Sequence, residues 1–333
     1  MTPRLEPPEM RTEHAALELR HVTKVFPGAA RAAVDDLSLV VPTGELVVLV
    51  GPSGCGKTTT LRMLNRLEEP TSGEILVHGV DARTIPVHEL RRGIGYVIQS
   101  VGLFPHRTVE QNMSTVPGLL GWDKDRIRAR VDELVELVDL DPDLLGRYPA
   151  ELSGGQQQRV GVARALAADP PILLMDEPYS AVDPIVRGHL QDELVELHRR
   201  VGTTIVFVTH DVDEAIKLGD RIAMLEAEGR LAQYAPPSEL LARPSSTFVA
   251  EFLGGERSLR SLALVPIGEL HLEPSGEPDA PRVEVTATAR ETLDLMLTSG
   301  RSTIAVHDHG RLVGHVTLAV LSQAISELRG ESS

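Results

Sequence analysis

Three groups of residues in this chain are spaced for phosphate chemistry. The first is Gly51-Pro52-Ser53-Gly54-Cys55-Gly56-Lys57-Thr58, followed by Thr59. Its glycines let backbone N–H groups curl around phosphate oxygens. The pattern suits Lys57 between β- and γ-phosphates and the Thr58 hydroxyl on Mg²⁺. The second group is Leu152-Ser153-Gly154-Gly155-Gln156. A serine and two glycines opening a helix form an anion site, because N–H groups point outward and the helix dipole adds partial positive charge. The third is Asp176 and Glu177, directly after the apolar run 172–175. A carboxylate at a strand end can hold Mg²⁺ through water, and its neighbour can polarise an attacking water. Two phosphate sites this far apart suggest that one holds a nucleotide while the other closes over a nucleotide held by a second subunit.

Two further polar residues end apolar runs. Gln99 follows 95–98, and its neutral amide can bind Mg²⁺ or the lytic water; the plainer reading is a polar loop residue. His210 follows 204–209, and the end of a third such strand favours contact with a γ-phosphate over a structural role. His307-Asp308-His309 has metal-ligand residue types but reads as a solvated turn.

These groups need rigid elements beneath them. The runs 46–50, 172–175 and 204–209 are continuous and apolar, which reads as buried parallel strands. Ligand groups then gather at the carboxyl ends of an open α/β sheet. A helix over 57–67 places Leu61, Leu64 and Leu67 on one face. A helical insertion over 125–139 places Ile127, Val131, Leu134 and Val138 on one face. Residues 221–234 read as two strands around Gly229, a small antiparallel edge, and 248–253 as an amphipathic helix. Composition shifts at 273–281, which holds three prolines and a glycine and reads as linker. Beyond it, 283–328 suggests a small β-α-β-β-α unit, too short to hold much core alone.

The bulk numbers narrow the class. At 333 residues, two domains are expected. A net charge of -15 argues against a nucleic-acid partner. The single cysteine, Cys55, excludes an intrachain disulfide and fits a reducing compartment. The polar stretch through His14 carries no secretory h-region, and no apolar run reaches the roughly 18–20 residues of a membrane helix. A membrane role must go through a partner.

Taken together, 51–58, Gln99, 152–156, 172–177, Ser180-Ala-Val-Asp183 and His210 resemble the motif set of an ABC transporter ATPase: Walker A, Q-loop, signature, Walker B with the catalytic glutamate, D-loop and H-loop. The resemblance covers about residues 15–255. It implies Phe26 stacked on adenine. It also implies ATP on Gly51, Pro52, Ser53, Gly54, Cys55, Gly56, Lys57, Thr58 and Thr59, and Mg²⁺ on Thr58, Gln99 and Asp176. Glu177, His210, Gln99 and Lys57 take the catalytic roles. Ser153, Gly154, Gly155 and Gln156 act in trans in a homodimer, with Asp183 linking the two sites. The implied fold is α/β: an ABC ATPase domain over 15–257 with a mixed sheet core, a helical subdomain at about 100–165 and an antiparallel edge. A linker over 258–282 and one CBS-like α+β module over 283–330 follow.

Residues 94–99, 102–106, 156–159, 209–215 and 251–257 are similar to importers of quaternary amines such as glycine betaine, choline, carnitine and proline betaine. Tyr179 and Val182 depart conservatively from that family's usual Phe and Leu. The resemblance implies transmembrane permease subunits docked near 99–106, an extracytoplasmic substrate-binding protein, and a peripheral place on the cytoplasmic face of the membrane. Another small solute as cargo, a non-transport ABC ATPase and a regulatory binding module are the alternatives. In CBS modules that bind adenosine ligands, an Asp lies three positions beyond a Thr. Counting from Thr317 gives Val320, which favours a structural or ionic-strength-sensing tail over a nucleotide sensor.

Overall fold

The computed structural model describes residues 15–328 except Val101, Ala181 and Pro278. The polar stretch ending at His14, Ala181 within 180–183, and residues 329–330 of the tail lie outside the described residues. Contacts divide the chain into two units. One runs to His210 and includes Leu225–Leu231; the other takes Asp211–Met224 and everything from Ala232.

The first unit has two layers of strands. An antiparallel sheet joins β1 (Ala15–Lys24), β2 (Val34–Pro42), β4 (Ser72–Val77) and β5 (Val80–Asp81) in the order β2-β1-β4-β5. The second layer contains β3 (Leu46–Val50), β6 (Ile94–Val97), β7 (Ile172–Asp176) and β8 (Thr204–Thr209), parallel neighbours in the order β3-β8-β7-β6. Every residue of β3, β7 and β8 is buried, as a parallel sheet covered on both faces requires. The register pairs Val50 with Thr209, Asp176 with Val208, and Val97 with Met175. The strands therefore end together, and the segments beginning at Gly51, Gln99, Glu177 and His210 leave along one edge.

Helices α1 (Lys57–Leu64) and α2 (Val87–Arg92) belong to this unit. Leu67, expected on the buried face of α1, is exposed. Asn65 caps the helix and Arg66 turns left-handed at φ 48°, so Leu67 lies past its end. The helical insertion consists of α3 (Val109–Met113), α4 (Thr115–Leu119), α5 (Lys124–Leu137) and α6 (Gly154–Leu166). Asp123 caps α5 by accepting the Arg126 N–H. Val131, Leu134 and Val138 are buried, as the periodicity predicts, and Ile127 is half-buried. The unit also contains α7 (Pro184–Val201).

The second unit begins with α8 (Val212–Leu218) and takes all but the last residue of β9 (Arg221–Leu225) and all but the first of β10 (Leu231–Ala235), two paired strands. Three helices follow: α9 (Pro237–Ala242), α10 (Thr247–Leu253) and α11 (Arg257–Ser261). The tail is β11 (Arg282–Glu284), α12 (Ala289–Ser299), β12 (Thr303–Asp308), β13 (Arg311–Thr317) and α13 (Leu318–Leu328). Strands β11 and β12 are parallel, and β12 and β13 antiparallel. This is the β-α-β-β-α order read from the sequence.

Residues 258–282 differ from the expected linker. Leu262 and Ile267 are fully buried with Met296, Ile304, Val306, Val316 and Leu321. Glu273 pairs through its backbone with His315, and the Ala305 N–H donates to the Pro281 carbonyl. The prolines mark irregular backbone; they do not prevent Leu262 and Ile267 from supplying apolar area that a unit of this size lacks. Among the described residues, no helix is long and apolar enough to cross a membrane.

One carboxylate gathers the second unit. Asp213 on α8 accepts from Arg260 Nε at 2.9 Å and Nη2 at 3.3 Å, and from Arg290 Nη1 at 3.3 Å. The Arg260 hydrogen bonds hold its carboxyl below the ordinary value, against a partial desolvation. A depressed carboxyl stabilises the fold above its unfolded pKa and loses that contribution as pH falls through the folded one. Asp213→Asn should therefore weaken α12 protection by about 0.5–1 kcal/mol at neutral pH, the range of half-exposed pairs. The difference from wild type should shrink in high salt, begin to fall only below about pH 4, the ordinary carboxyl value, and vanish once the pH passes below the depressed folded value. Hydrogen exchange of the α12 amides measures this.

Candidate functional site

The loop 51–56 is held open by glycines that nothing else can replace. Gly56 has φ 107°, and a Cβ there would meet the Ala33 carbonyl oxygen at 2.3 Å. A Cβ on Gly51 would meet the Leu225 carbonyl oxygen at 2.2 Å. Gly54 is also left-handed, at φ 77°. Pro52, Ser53 and Gly54 are exposed at the tip, while Thr59 is half-buried.

Lys57 opens α1 and is only 5% exposed. Its Nζ donates to the carbonyls of Gly51 at 2.7 Å and Pro52 at 3.0 Å. Cys55 Sγ lies 3.9 Å away. Burial pushes the Cys55 thiol up, and the Lys57 ammonium pulls the other way. The Thr58 hydroxyl donates to Asp176 Oδ1 at 3.0 Å, across 118 residues of sequence. Burial also pushes the Asp176 carboxyl up, opposed first by that Thr58 hydrogen bond and raised further by the Glu177 charge.

Glu177 turns out of β7 in the left-handed region, φ 42°, where a residue with a Cβ is strained. Its N–H donates to the Val208 carbonyl, which fixes the turn. Its Oε2 lies 3.2 Å from His210 Nδ1 and 3.5 Å from Gln99 Nε2. Three strand ends thus converge on one carboxylate. A carboxylate so placed can take a proton from water, and its two neighbours restrict where that carboxylate points.

Phe26 is exposed, with Lys24 Nζ 4.8 Å from its ring centroid. Ser153 and Gln156 form a capping box at the start of α6: the Gln156 N–H donates to Ser153 Oγ, and the Ser153 N–H to Gln156 Oε1. Gln157 N–H reaches the Ser153 carbonyl, so Gly154 and Gly155 are the remaining N–H donors of the first turn. Asp183 caps α7 by accepting the Ile185 N–H. A Cβ on Gly155 would lie 3.0 Å from Val186 Cγ1, so the starts of α6 and α7 are neighbours. Among the described residues, no hydrogen bond or ion pair links 153–156 to 51–59.

A family model described as ABC transporter matches residues 34–180. The osmoprotectant import ATP-binding protein OsmV of Salmonella typhimurium is 53% identical over 258 residues, spanning 76% of this chain and 67% of that protein. The glycine betaine/carnitine/choline transport ATP-binding protein OpuCA of Bacillus subtilis is 47% identical over 319 residues, spanning 92% of this chain and 80% of that protein. The chain belongs to the ABC transporter ATP-binding proteins. A solved structure, the dimeric post-hydrolysis state of the ATP-binding cassette MJ0796 bound to ADP and Pi, matches with a TM-score of 0.59 and 33% identity, over 66% of this chain and 98% of that chain. As an ABC ATPase, the chain binds ATP and hydrolyses it in support of transport.

Several residues of this ABC site carry no signal in a single sequence. Lys24 is one: its ammonium sits over Phe26 and also pairs with Glu68 at 3.1 Å. Arg164 on α6 is another. It donates to the Gly102 carbonyl at 2.7 Å and lies over the Phe104 ring, bracing the loop that follows Gln99. The left-handed turn at Glu177 is a third, because nothing about a glutamate predicts positive φ. Tyr96, whose hydroxyl is pushed up to about 12 by burial, first of all, and by the Asp176 charge, marks how dry the β6–β7 end is.

Gly56→Ala should destabilise the first unit by about 2–4 kcal/mol and remove nucleotide affinity, since strain and the Ala33 contact add. Gly118→Ala, where a Cβ meets nothing within 4 Å, is expected to be neutral or stabilising by up to about 1 kcal/mol. Denaturant titration alongside binding of a fluorescent ATP analogue separates the two.

Proposed function

We propose that this chain is the ATP-hydrolysing subunit of an importer for a quaternary-amine osmoprotectant of the glycine betaine, choline, carnitine or proline betaine type. It works as a homodimer on the cytoplasmic face of the membrane, bound to transmembrane permease subunits that a substrate-binding protein supplies from outside. The observation that carries the catalytic part is Glu177, flanked by Gln99 and His210 and adjacent to the Thr58–Asp176 hydrogen bond. The similarity to OsmV and OpuCA over most of this chain supports the cargo class.

In this reading Phe26 stacks on adenine, and the N–H groups of 51–59 wrap the phosphates. Lys57 exchanges its carbonyl partners for β- and γ-phosphate oxygens. Thr58, Asp176 and the Gln99 amide oxygen form an all-oxygen donor set, which suits Mg²⁺ with its few protein ligands. They would hold the ion where its charge offsets that of the phosphates. The Glu177 carboxylate accepts a proton from water as the water oxygen bonds to the γ-phosphorus and the bond to ADP breaks. His210 and Gln99 hold that carboxylate and meet the γ-phosphate. Gly154 and Gly155 of the partner subunit close over the same phosphate, and Asp183 links the two sites. The tail is a CBS-like module; Val320, where a ribose-binding Asp would stand, favours a structural or ionic-strength role for it.

Cells carrying the chain with its own permease should accumulate labelled glycine betaine or choline under hyperosmotic stress. Glu177→Gln should retain ATP binding while lowering turnover by about 10²–10⁴-fold, and uptake should fall with it. Near-normal hydrolysis in that variant removes Glu177 from the base role. Normal hydrolysis without uptake of any quaternary amine leaves the ATPase but replaces the cargo.

A further inference from the structure

Lys24 ends β1 with its ammonium drawn away from water. Its side chain is only 12% exposed, whereas a lysine tip ordinarily stays solvated. The Nζ donates to the Glu69 carbonyl at 2.8 Å, lies 3.1 Å from Glu68 Oε2 and stands 4.8 Å from the centroid of the Phe26 ring. Two oxygens and one aromatic face therefore surround one cation. Glu68 also meets Arg62 of α1 at 3.3 Å, so the anchoring carboxylate is tied to the helix that Lys57 opens.

The backbone around the ring is fixed. The Val25 N–H donates to Thr71 Oγ1, and the Thr71 N–H to the Thr23 carbonyl. The Ala33 N–H donates to the Lys24 carbonyl, and the Ala33 carbonyl oxygen is the one that abuts Gly56 of the phosphate loop. The ring itself is 36% exposed, and among the described residues no second aromatic ring or cation lies against it. A cation over an aromatic face is attractive and directional, so it favours one orientation of the ring. An exposed side chain that a ligand must order costs affinity, and one ordered beforehand does not.

We propose that Lys24 is a positioning residue for the nucleotide base: its ammonium takes one face of Phe26 and holds the ring with the other face presented to a purine. This rests on the reading that Phe26 stacks on adenine. Lys24 acts through the ring, and the link from Arg62 through Glu68 sets that platform at a fixed place relative to Lys57. The effect therefore belongs to the base and leaves the phosphates untouched. Lys24→Arg keeps a cation that can lie on the ring, while Lys24→Met keeps the apolar stem and loses the charge.

The test titrates the full chain calorimetrically with ADP, and with pyrophosphate as the same phosphate pair without a base. Lys24→Met should weaken ADP roughly two- to tenfold, the cost of ordering one side chain. It should leave pyrophosphate affinity unchanged, which also reports that the phosphate loop is folded. Lys24→Arg should restore most of the ADP affinity. Phe26→Leu should weaken ADP, and adding Lys24→Met to it should cost nothing further, because the lysine acts only through the ring. The proposal is overturned, with the stacking reading intact, if Lys24→Met leaves ADP affinity unchanged, weakens pyrophosphate equally, or multiplies with Phe26→Leu. Full ADP affinity in Phe26→Leu removes the stacking reading and the proposal with it.

Discussion

A buried ammonium with no carboxylate partner organises this molecule. Lys57 lies at the start of α1, out of water, and its hydrogen bonds go to two carbonyls of its own loop. Among the described residues, no Asp or Glu oxygen pairs with it. A cation so placed is costly unless an anion meets it. The loop can hold it only because Gly51 and Gly56 lack a Cβ where neighbouring carbonyls approach. The core of the first unit serves that loop: β3 is buried throughout, and β7 and β8 end level with it. The same alignment brings Asp176 to Thr58, and Gln99 and His210 to Glu177.

The charge pattern around the lysine divides the labour. Asp176 is the drier carboxyl and is engaged by the Thr58 hydroxyl. Glu177 turns away through a strained backbone and meets the His210 and Gln99 side chains instead. Adjacent carboxylates thereby take different surroundings, which suit the different tasks proposed for them. The α6 terminus offers two more N–H donors at Gly154 and Gly155, held ready by the Ser153–Gln156 capping box. Among the described residues, no hydrogen bond or ion pair ties them to the 51–59 loop, which is why we propose that they serve a nucleotide on a second copy.

Much of this was legible in the sequence for a physical reason. Continuous apolar runs such as 204–209 can only be buried on both faces, and residues ending such runs share an edge. The phosphate loop carries its own geometry in its glycines. What stayed hidden depends on tertiary packing. Leu67 looks helical by period, yet the left-handed Arg66 ends α1 before it. Residues 258–282 look like a linker by proline content, yet Leu262 and Ile267 complete the core of the tail. Lys24 over Phe26 and held by Glu68, and Arg164 on the Gly102 carbonyl, arise from contacts between distant residues, which no spacing rule encodes.

The central claim is that Lys57 and Ser153 act on the same phosphate from two copies of the chain. Ser153→Arg tests it directly, because among the described residues no hydrogen bond or ion pair links 153–156 to the nucleotide loop of the same subunit. ATP affinity and sedimentation of the variant, measured together, give the answer. The account predicts unchanged ATP binding by the single chain, with ATP-dependent dimerisation and hydrolysis both lost. Dimerisation and hydrolysis at the level of the unsubstituted chain, or loss of ATP binding by the single chain, would contradict it.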